Sequence, residues 1–385
     1  MHTQLRIALI TEPSGGGSGR HVLDLALGLA GRGHDVTVIW SPVRAQADFV
    51  DKLTNAALIR NVPLEMNRAV GLADAKAYLA LARLLRQEGP FDILHAHSSK
   101  AGALIRLLPK SIPGARIYTP HAFRTMDPDL KTPQRFIYGT IERLFAPRAA
   151  KIIAVSEAER LHAVSELRIA PHRLQRVVNG AELPKTASRA TARAKMGLCE
   201  DQVAVGFIGR LEKQKDPIRF VRSVKAAARH VPNLCGVVIG DGVLRAEAED
   251  AANGGRIDFM GWQDGPALFP ALDIFCMTSQ YEAMPYTLLE ALHAGVPIVM
   301  TAVGGAEETV IHGENGYVLP LEDDANTLSD VLVELAGDAE KRIAFGQASR
   351  RLAETRTIEA MMTGTLDIYM QNGGPGRELV QKKVS

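Results

Sequence analysis

A chain of 385 residues is too long for one compact core and fits two domains of roughly 150–200 residues each. Apolar residues at 46% and charged residues at 23% are ordinary for a globular protein. The net charge of +2 hides an asymmetry: residues 1–180 hold 24 Lys and Arg against 15 Asp and Glu, a balance of +9, and the remainder carries −7. A basic half suits phosphates, an anionic membrane or nucleic acid, or is merely a solvated face.

The opening "MHTQLRIALI" has no long apolar segment before its first strand, so no signal peptide is expected. In the first half the β-type runs are "LRIALI", "DVTVIW", "FDILHA", "ARIYTP" and "KIIAVS", separated by amphipathic stretches such as "AKAYLALARLLRQEG". Strands alternating with helices imply βαβ units, and apolar runs without polar alternation imply a parallel sheet covered on both faces. The polar stretch "RVVNGAELPKTASRATARAKMGLCEDQ" interrupts this and places a connection near 180–200. A second series follows: "VAVGFIGR", "LCGVVIG", "RIDFMG", "LDIFCMTS", "VPIVMT" and "NGYVL". The tail after about residue 322 reads as three helices. No run approaches the ~18 apolar residues of a spanning helix. Cys199, Cys235 and Cys276 are odd in number and scattered, which speaks for a reducing cytosol and against a disulfide framework.

The expected architecture is α/β: two doubly wound parallel-sheet domains, 1–182 and 183–360, facing across a cleft. Residues 361–385 form a C-terminal helix and tail able to pack back on the first domain. In such sheets ligands bind beyond the carboxyl ends of the strands, so the loops there carry the candidates.

Residues 12–22, "EPSGGGSGRHV", follow the first strand. Consecutive glycines admit close backbone approach, and the next helix offers unpaired N–H groups to an anion, which makes this stretch a candidate ligand loop. No Gly-Lys-Ser/Thr follows, so this is not a P-loop. His95 and His97 in "HAHSSKAG" and His121 in "TPHAF" end successive strands. An H-x-H pair with no carboxylate or thiolate partner is a weak metal pattern, and no metal site is expected. His121 is placed to touch a substrate, whereas His95 reads better as a packed residue. In "GRLEKQKDP", Arg210 and Lys215 lie five apart in a loop opening a helix and suit a diphosphate. Lys213 competes, and a solvated basic loop is the bland alternative.

The stretch "SQYEAMPYTLLEAL" sets Glu282 and Glu290 eight apart. Pro285 suits a first helical turn, so a helix is expected from there, with Glu282 in the loop before it. Free N–H groups near Tyr286 and Thr287 then suit phosphate oxygens. Glu290 lies among Leu288, Leu289, Ala291 and Leu292, where a carboxylate needs a partner from the chain or from a ligand. A carboxylate can accept two hydrogen bonds from a ribose diol. One nucleotide-sugar would serve all these groups: a diol for Glu290, a diphosphate for Arg210, Lys215 and the helix end, and sugar hydroxyls for Glu282.

Together these residues resemble the family-4 retaining glycosyltransferases of the GT-B fold, over about residues 5–370 and in the family's order. The E-x7-E pair and its sequel "AGVPIVMTAVGGAEETVIHGENGYVL" carry the resemblance most specifically. It implies catalytic roles for His121 and Glu282 at the donor sugar, with Glu290 on the ribose. It implies diphosphate binding by Arg210 and Lys215, a base near Trp262 and Gln263, and donor contacts from Gly16, Gly17, Ala283, Met284, Pro285, Tyr286 and Thr287. Three positions depart from the pattern: Ala283 where relatives commonly have glycine, Ala122 where they commonly have glycine or aspartate, and Glu307 in place of the proline of "GGxPE". "HAHSSKAGALIRLL" and "YTPHAF" most resemble bacterial enzymes of capsule, exopolysaccharide and O-antigen synthesis.

The resemblance implies a retaining, metal-independent hexosyltransferase with no cofactor. It would use a UDP-sugar rather than a GDP-sugar, and a glycan acceptor carried on a polyprenyl diphosphate. The protein would be cytoplasmic and peripheral on the inner membrane face, with "RFIYGTIERLFAPRAAK" as a candidate interfacial helix. Two other readings stay open. One is a non-hydrolysing nucleotide-sugar epimerase of the same fold. The other is a non-catalytic anion or nucleic-acid binder, which the lack of aromatic platforms speaks against.

Overall fold

The computed structural model of the chain describes residues 4–67, 71–183, 188–322 and 325–373. The chain forms two compact units, residues 1–179 with 358–385, and residues 180–357. The expected division fell at 182/183 and 360. Part of the connecting stretch (184–187) and the last twelve residues of the tail (374–385) lie outside the described residues.

The first unit holds a seven-stranded parallel sheet in the order β3-β2-β1-β4-β5-β6-β7. The strands are β1 (Arg6–Thr11), β2 (Asp35–Trp40), β3 (Ile59–Pro63), β4 (Ile93–His97), β5 (Ala115–Thr119), β6 (Lys151–Ala154) and β7 (Leu174–Arg176). Its helices are α1 (Gly16–Gly31), α2 (Ala47–Thr54), α3 (Ala73–Glu88), α4 (Ser99–Leu107), α5 (Thr132–Phe145) and α6 (Glu157–Ser165). The period of two along β1 sends Ile7 and Leu9 into one core and Ala8 and Ile10 into the other. Each fully buried aliphatic side chain contributes about 1.5–3 kcal/mol, which is why both faces need helical cover.

The second unit has six parallel strands in the order β10-β9-β8-β11-β12-β13. They are β8 (Val203–Ile208), β9 (Leu234–Ile239), β10 (Ile257–Gly261), β11 (Ile274–Met277), β12 (Ile298–Thr301) and β13 (Gly316–Leu319). Around them lie α7 (Arg189–Lys195), α8 (Pro217–Ala227), α9 (Arg245–Ala252), α10 (Gly265–Leu268), α11 (Tyr286–Ala294), α12 (Ala306–Thr309), α13 (Ala325–Gly337) and α14 (Ala339–Ala353). Phe220, Val221 and Val224 of α8 and Leu332 of α13 cover one face, and Leu288 and Leu292 of α11 cover the other.

The last helix, α15 (Ile358–Gly373), belongs to the first unit. It puts Met361, Met362, Ile368 and Tyr369 into the core beside α1. Gly28 of α1 makes room for it, because a Cβ there would meet the Met362 sulfur at 2.2 Å. No helix among the described residues is long and apolar enough to cross a membrane.

Candidate active site

In the second unit the candidates cluster where β8 and β11 end, adjacent strands in the sheet. Lys215 ends the loop after β8, and Asp216, held left-handed at φ 47, caps α8 by accepting from the Arg219 N–H at 3.2 Å. Several hydrogen bonds tie this loop to the one after β11. Thr278 Oγ1 donates to the carbonyls of Lys215 (3.0 Å) and Asp216 (2.7 Å). The Gln280 N–H donates to Gln214 O at 2.7 Å, and Gln214 Nε2 donates to Tyr281 O at 3.0 Å. The seam ends in an ion pair, Lys215 Nζ to Glu282 Oε1 at 2.5 Å, with side chains only 13% and 10% exposed. Sequence reading left Lys213 and Lys215 in competition, and Lys215 is the one paired with Glu282.

Arg210 is half-exposed, paired with Glu212 at 2.8 Å and reaching Gln214 Oε1 at 3.4 Å. A half-exposed pair of this kind is weak and exchanges readily for another anion. The loop can sit this close to β9 because Gly240 lies beneath it at φ +132, where a Cβ would come within 2.0 Å of Gly209 O.

Pro285 is the residue before α11 rather than its first helical residue. Its extended ψ of 135 makes it the N-cap, and the helix begins at Tyr286 with no side chain capping its end. Thr287 Oγ1 sits there buried and without a partner. Glu282, Ala283, Met284 and Tyr286 are all buried, and Glu290, one helical turn further on, is 3% exposed. Gly304 closes the loop from the β12 side, since a Cβ there would lie 2.3 Å from Glu282 O. After β10, Gln263 Nε2 donates to Met260 O at 3.1 Å and Trp262 stands 62% exposed. The second unit thus gathers Arg210, Lys215, Glu282 and the α11 N-terminus around two stitched loops.

In the first unit Gly16 begins α1 at φ +58, and its N–H donates to Gln46 Oε1 at 2.8 Å. Gly17 lies within the same first turn. His121 follows β5 in a left-handed turn with Ala122, at φ 55 and φ 78. Glu159 on α6 holds that turn: Oε1 accepts from the Ala122 N–H at 2.7 Å and Oε2 from the Val155 N–H at 2.8 Å. Burial pushes the Glu159 carboxyl up to about 7, against the pull of those two donors. Ala122 therefore keeps a backbone that favours glycine, at about 1–2 kcal/mol. Ala122→Gly is expected to raise stability by about 1 kcal/mol, part of the relief going to the freer unfolded chain. A urea midpoint at or below that of the parent chain would refute this.

His121 does not stand alone. His97 Nδ1 lies 3.1 Å from His121 Nε2, and the His21 and His121 ring centroids are 4.6 Å apart. His21 Nδ1 donates to Asn179 Oδ1 at 3.0 Å. His95 bonds Tyr369 Oη at 2.6 Å and Thr119 Oγ1 at 2.8 Å, which makes it a satisfied core residue. Burial pushes His21 down to about 4 and His95, His97 and His121 well below the usual range, so all four rings are neutral at pH 7. His21 and Glu159 were missed in the sequence. The usable signal was topological: β1, β4 and β5 are neighbours, so residues just beyond their ends must meet.

Two family models match this chain, "Glycosyltransferase Family 4" over residues 15–184 and "Glycosyl transferases group 1" over residues 188–352. The chain belongs to the family-4 glycosyltransferases, with the GT-B fold. It is similar to the UDP-Gal:alpha-D-GlcNAc-diphosphoundecaprenol alpha-1,3-galactosyltransferase of Escherichia coli, 25% identical over 87% of this chain and 89% of the relative. It also resembles an uncharacterised protein of the cps region of Klebsiella pneumoniae, 28% identical over 66% of this chain and 72% of that one. Among solved structures, the Anabaena protein HepE in complex with UDP superposes with a TM-score of 0.78 at 19% identity, covering 94% of this chain and 99% of that chain.

Proposed function

We propose that this glycosyltransferase moves a hexosyl unit from a UDP-sugar to a hydroxyl of a glycan carried on a polyprenyl diphosphate, with retention and without a metal. The observation that carries the reading is the buried Lys215–Glu282 pair beside the uncapped start of α11. It sets a cation, a carboxylate and a helix N-terminus without a side-chain cap in one place, as a sugar diphosphate requires. Arg210 exchanges its Glu212 partner for the diphosphate. With Lys215 and the helix end it then stabilises the charge that develops on the leaving group. Glu290 takes the ribose diol, Trp262 and Gln263 lie at the base, and Ala283 to Thr287 line the donor. Glu282 meets the sugar hydroxyls. His121, neutral and donating or accepting as its tautomer allows, serves the sugar, and Gly16 and Gly17 serve phosphate or acceptor.

The activity of the E. coli relative, with a UDP-sugar donor and a diphosphoundecaprenol-linked acceptor, supports the choice of both substrates. The lipid side of the reading rests on α5, where Phe136 (73%), Ile137 (54%) and Leu144 (62%) stand exposed among Arg135 and Arg143. Phe136, Arg135 and Arg143 also line a groove of about 590 Å³, together with Met126, Leu167 and Arg168. Apolar side chains flanked by arginines suit an anionic inner leaflet, which would make the protein peripheral on its cytoplasmic face.

Glu290→Ala is expected to weaken UDP about 10- to 100-fold, the value of a charge-assisted bond to the ribose, with the fold intact. Calorimetric titration of UDP and GDP reads this, and equal affinity in parent and variant would remove Glu290 from the donor. Transfer to a lipid-linked N-acetylhexosamine in excess chelator, with the product's anomeric configuration read by NMR, tests the rest. Loss of activity in chelator, or an inverted product, would refute the corresponding part.

A further inference from the structure

We propose that His21, His97 and His121 form a binding site for a divalent d-block ion of the zinc class, and that the ion, once bound, blocks transfer by taking His121. This goes beyond the glycosyltransferase reading. The three residues come from three elements, α1, the end of β4 and the turn after β5, and one ligand nitrogen of each lies within 4.8 Å of the other two.

Three observations carry it. First, the 3.1 Å between His97 Nδ1 and His121 Nε2 is close to the spacing of about 3.3 Å between two imidazole nitrogens on one tetrahedral zinc. Second, the Asn179 carbonyl oxygen accepts from His21 Nδ1–H, which fixes the tautomer and leaves the Nε2 lone pair to an ion. Metal-bound histidines are oriented by such an outer hydrogen bond. Third, His97 Nε2 is buried without a partner. The ion would use Nδ1, the nitrogen facing His121, so His97 binds it as the Nε2–H tautomer.

The widest pair must close by about 1–1.5 Å through ring rotation to reach zinc geometry. Three imidazoles leave the fourth position open, for water or another ligand. Nitrogen ligands without a carboxylate select zinc, cobalt, nickel or copper over magnesium or calcium. No redox or covalent step is involved, only coordination.

The test uses tag-free full-length chain, stripped with chelator and dialysed against Zn2+ or Co2+ alone, with no sugar nucleotide. Expected are one ion per chain by elemental analysis and d–d absorption of bound Co2+ at low coordination number. His21→Gln and His97→Gln should each weaken binding at least 10-fold while keeping parental circular dichroism, and Cys199→Ser should leave it unchanged. No saturable binding by ~100 µM, or parental affinity in both histidine variants, would overturn the site. A transfer assay then reads the consequence: Zn2+ slows the parent chain and His97→Gln resists. Full activity of the zinc-loaded parent would overturn the blocking role. Because the ion is measured without substrate, failure of the donor assignment would leave the binding result standing.

Discussion

Lys215→Ala is expected to lower transfer about 10²- to 10³-fold, the loss that follows removal of one preorganised cation from a developing anion. It should also destabilise the second unit by about 3–5 kcal/mol, because Glu282, 10% exposed, loses its ion-pair partner. The double variant Lys215→Ala/Glu282→Ala separates the two effects. Deleting both charges removes the stranded carboxylate, so most of the stability should return. Activity should not, because the diphosphate still lacks its cation and the sugar its carboxylate. Urea unfolding and initial rates on the three variants read both quantities. Recovery of activity in the double variant would mean that the pair is structural only.

Stability in chelator is expected to fall steeply as pH drops from about 6.5 towards 4. His21 is held down to about 4 in the fold, and His95, His97 and His121 lie well below their ordinary value. In that window the unfolded chain binds protons that the native chain refuses, so unfolding gains free energy as pH falls. His21 alone contributes about 3 kcal/mol. Glu159 acts in the opposite sense: raised to about 7, it is protonated in the fold while its unfolded counterpart is ionised above about 4.5, so its contribution is lost as pH rises through 7. The charge of Glu142 raises it further. These four histidines against Glu159 leave an uptake of about three protons on unfolding near pH 5.5, to which His162, also lowered by burial, adds. His21→Gln should reduce that by about one. A flat stability profile between pH 7 and 5 would refute the neutral cluster.

The strands buried on both faces were legible because their apolar runs leave little room for another reading. All six strands of the second sheet were expected, as were β1, β2, β4, β5 and β6 of the first. The structure adds β3 and β7 at the two edges of that sheet. Edge strands bury less: β3 reads "IRNVP" with one fully buried residue, and β7 is only three residues long. The E-x7-E stretch was legible because a carboxylate among leucines poses a chemical problem whatever the fold. The α11 boundary fell one residue off because Pro285, at home at either position, takes the extended backbone of a cap. His21 was illegible locally. On α1 it occupies a position that an apolar residue would fill, and only strand order brings it to His97 and His121.

The central claim is that the second unit holds a nucleoside diphosphate sugar, with its base at Trp262 and Gln263. Photolabelling with 5-azido-UDP, followed by peptide mapping, tests it most directly. The label should fall on the peptide carrying Trp262 and Gln263, be displaced by UDP, and be greatly reduced in Arg210→Ala. Label on peptides of the first unit only, or label that UDP does not displace, would contradict it.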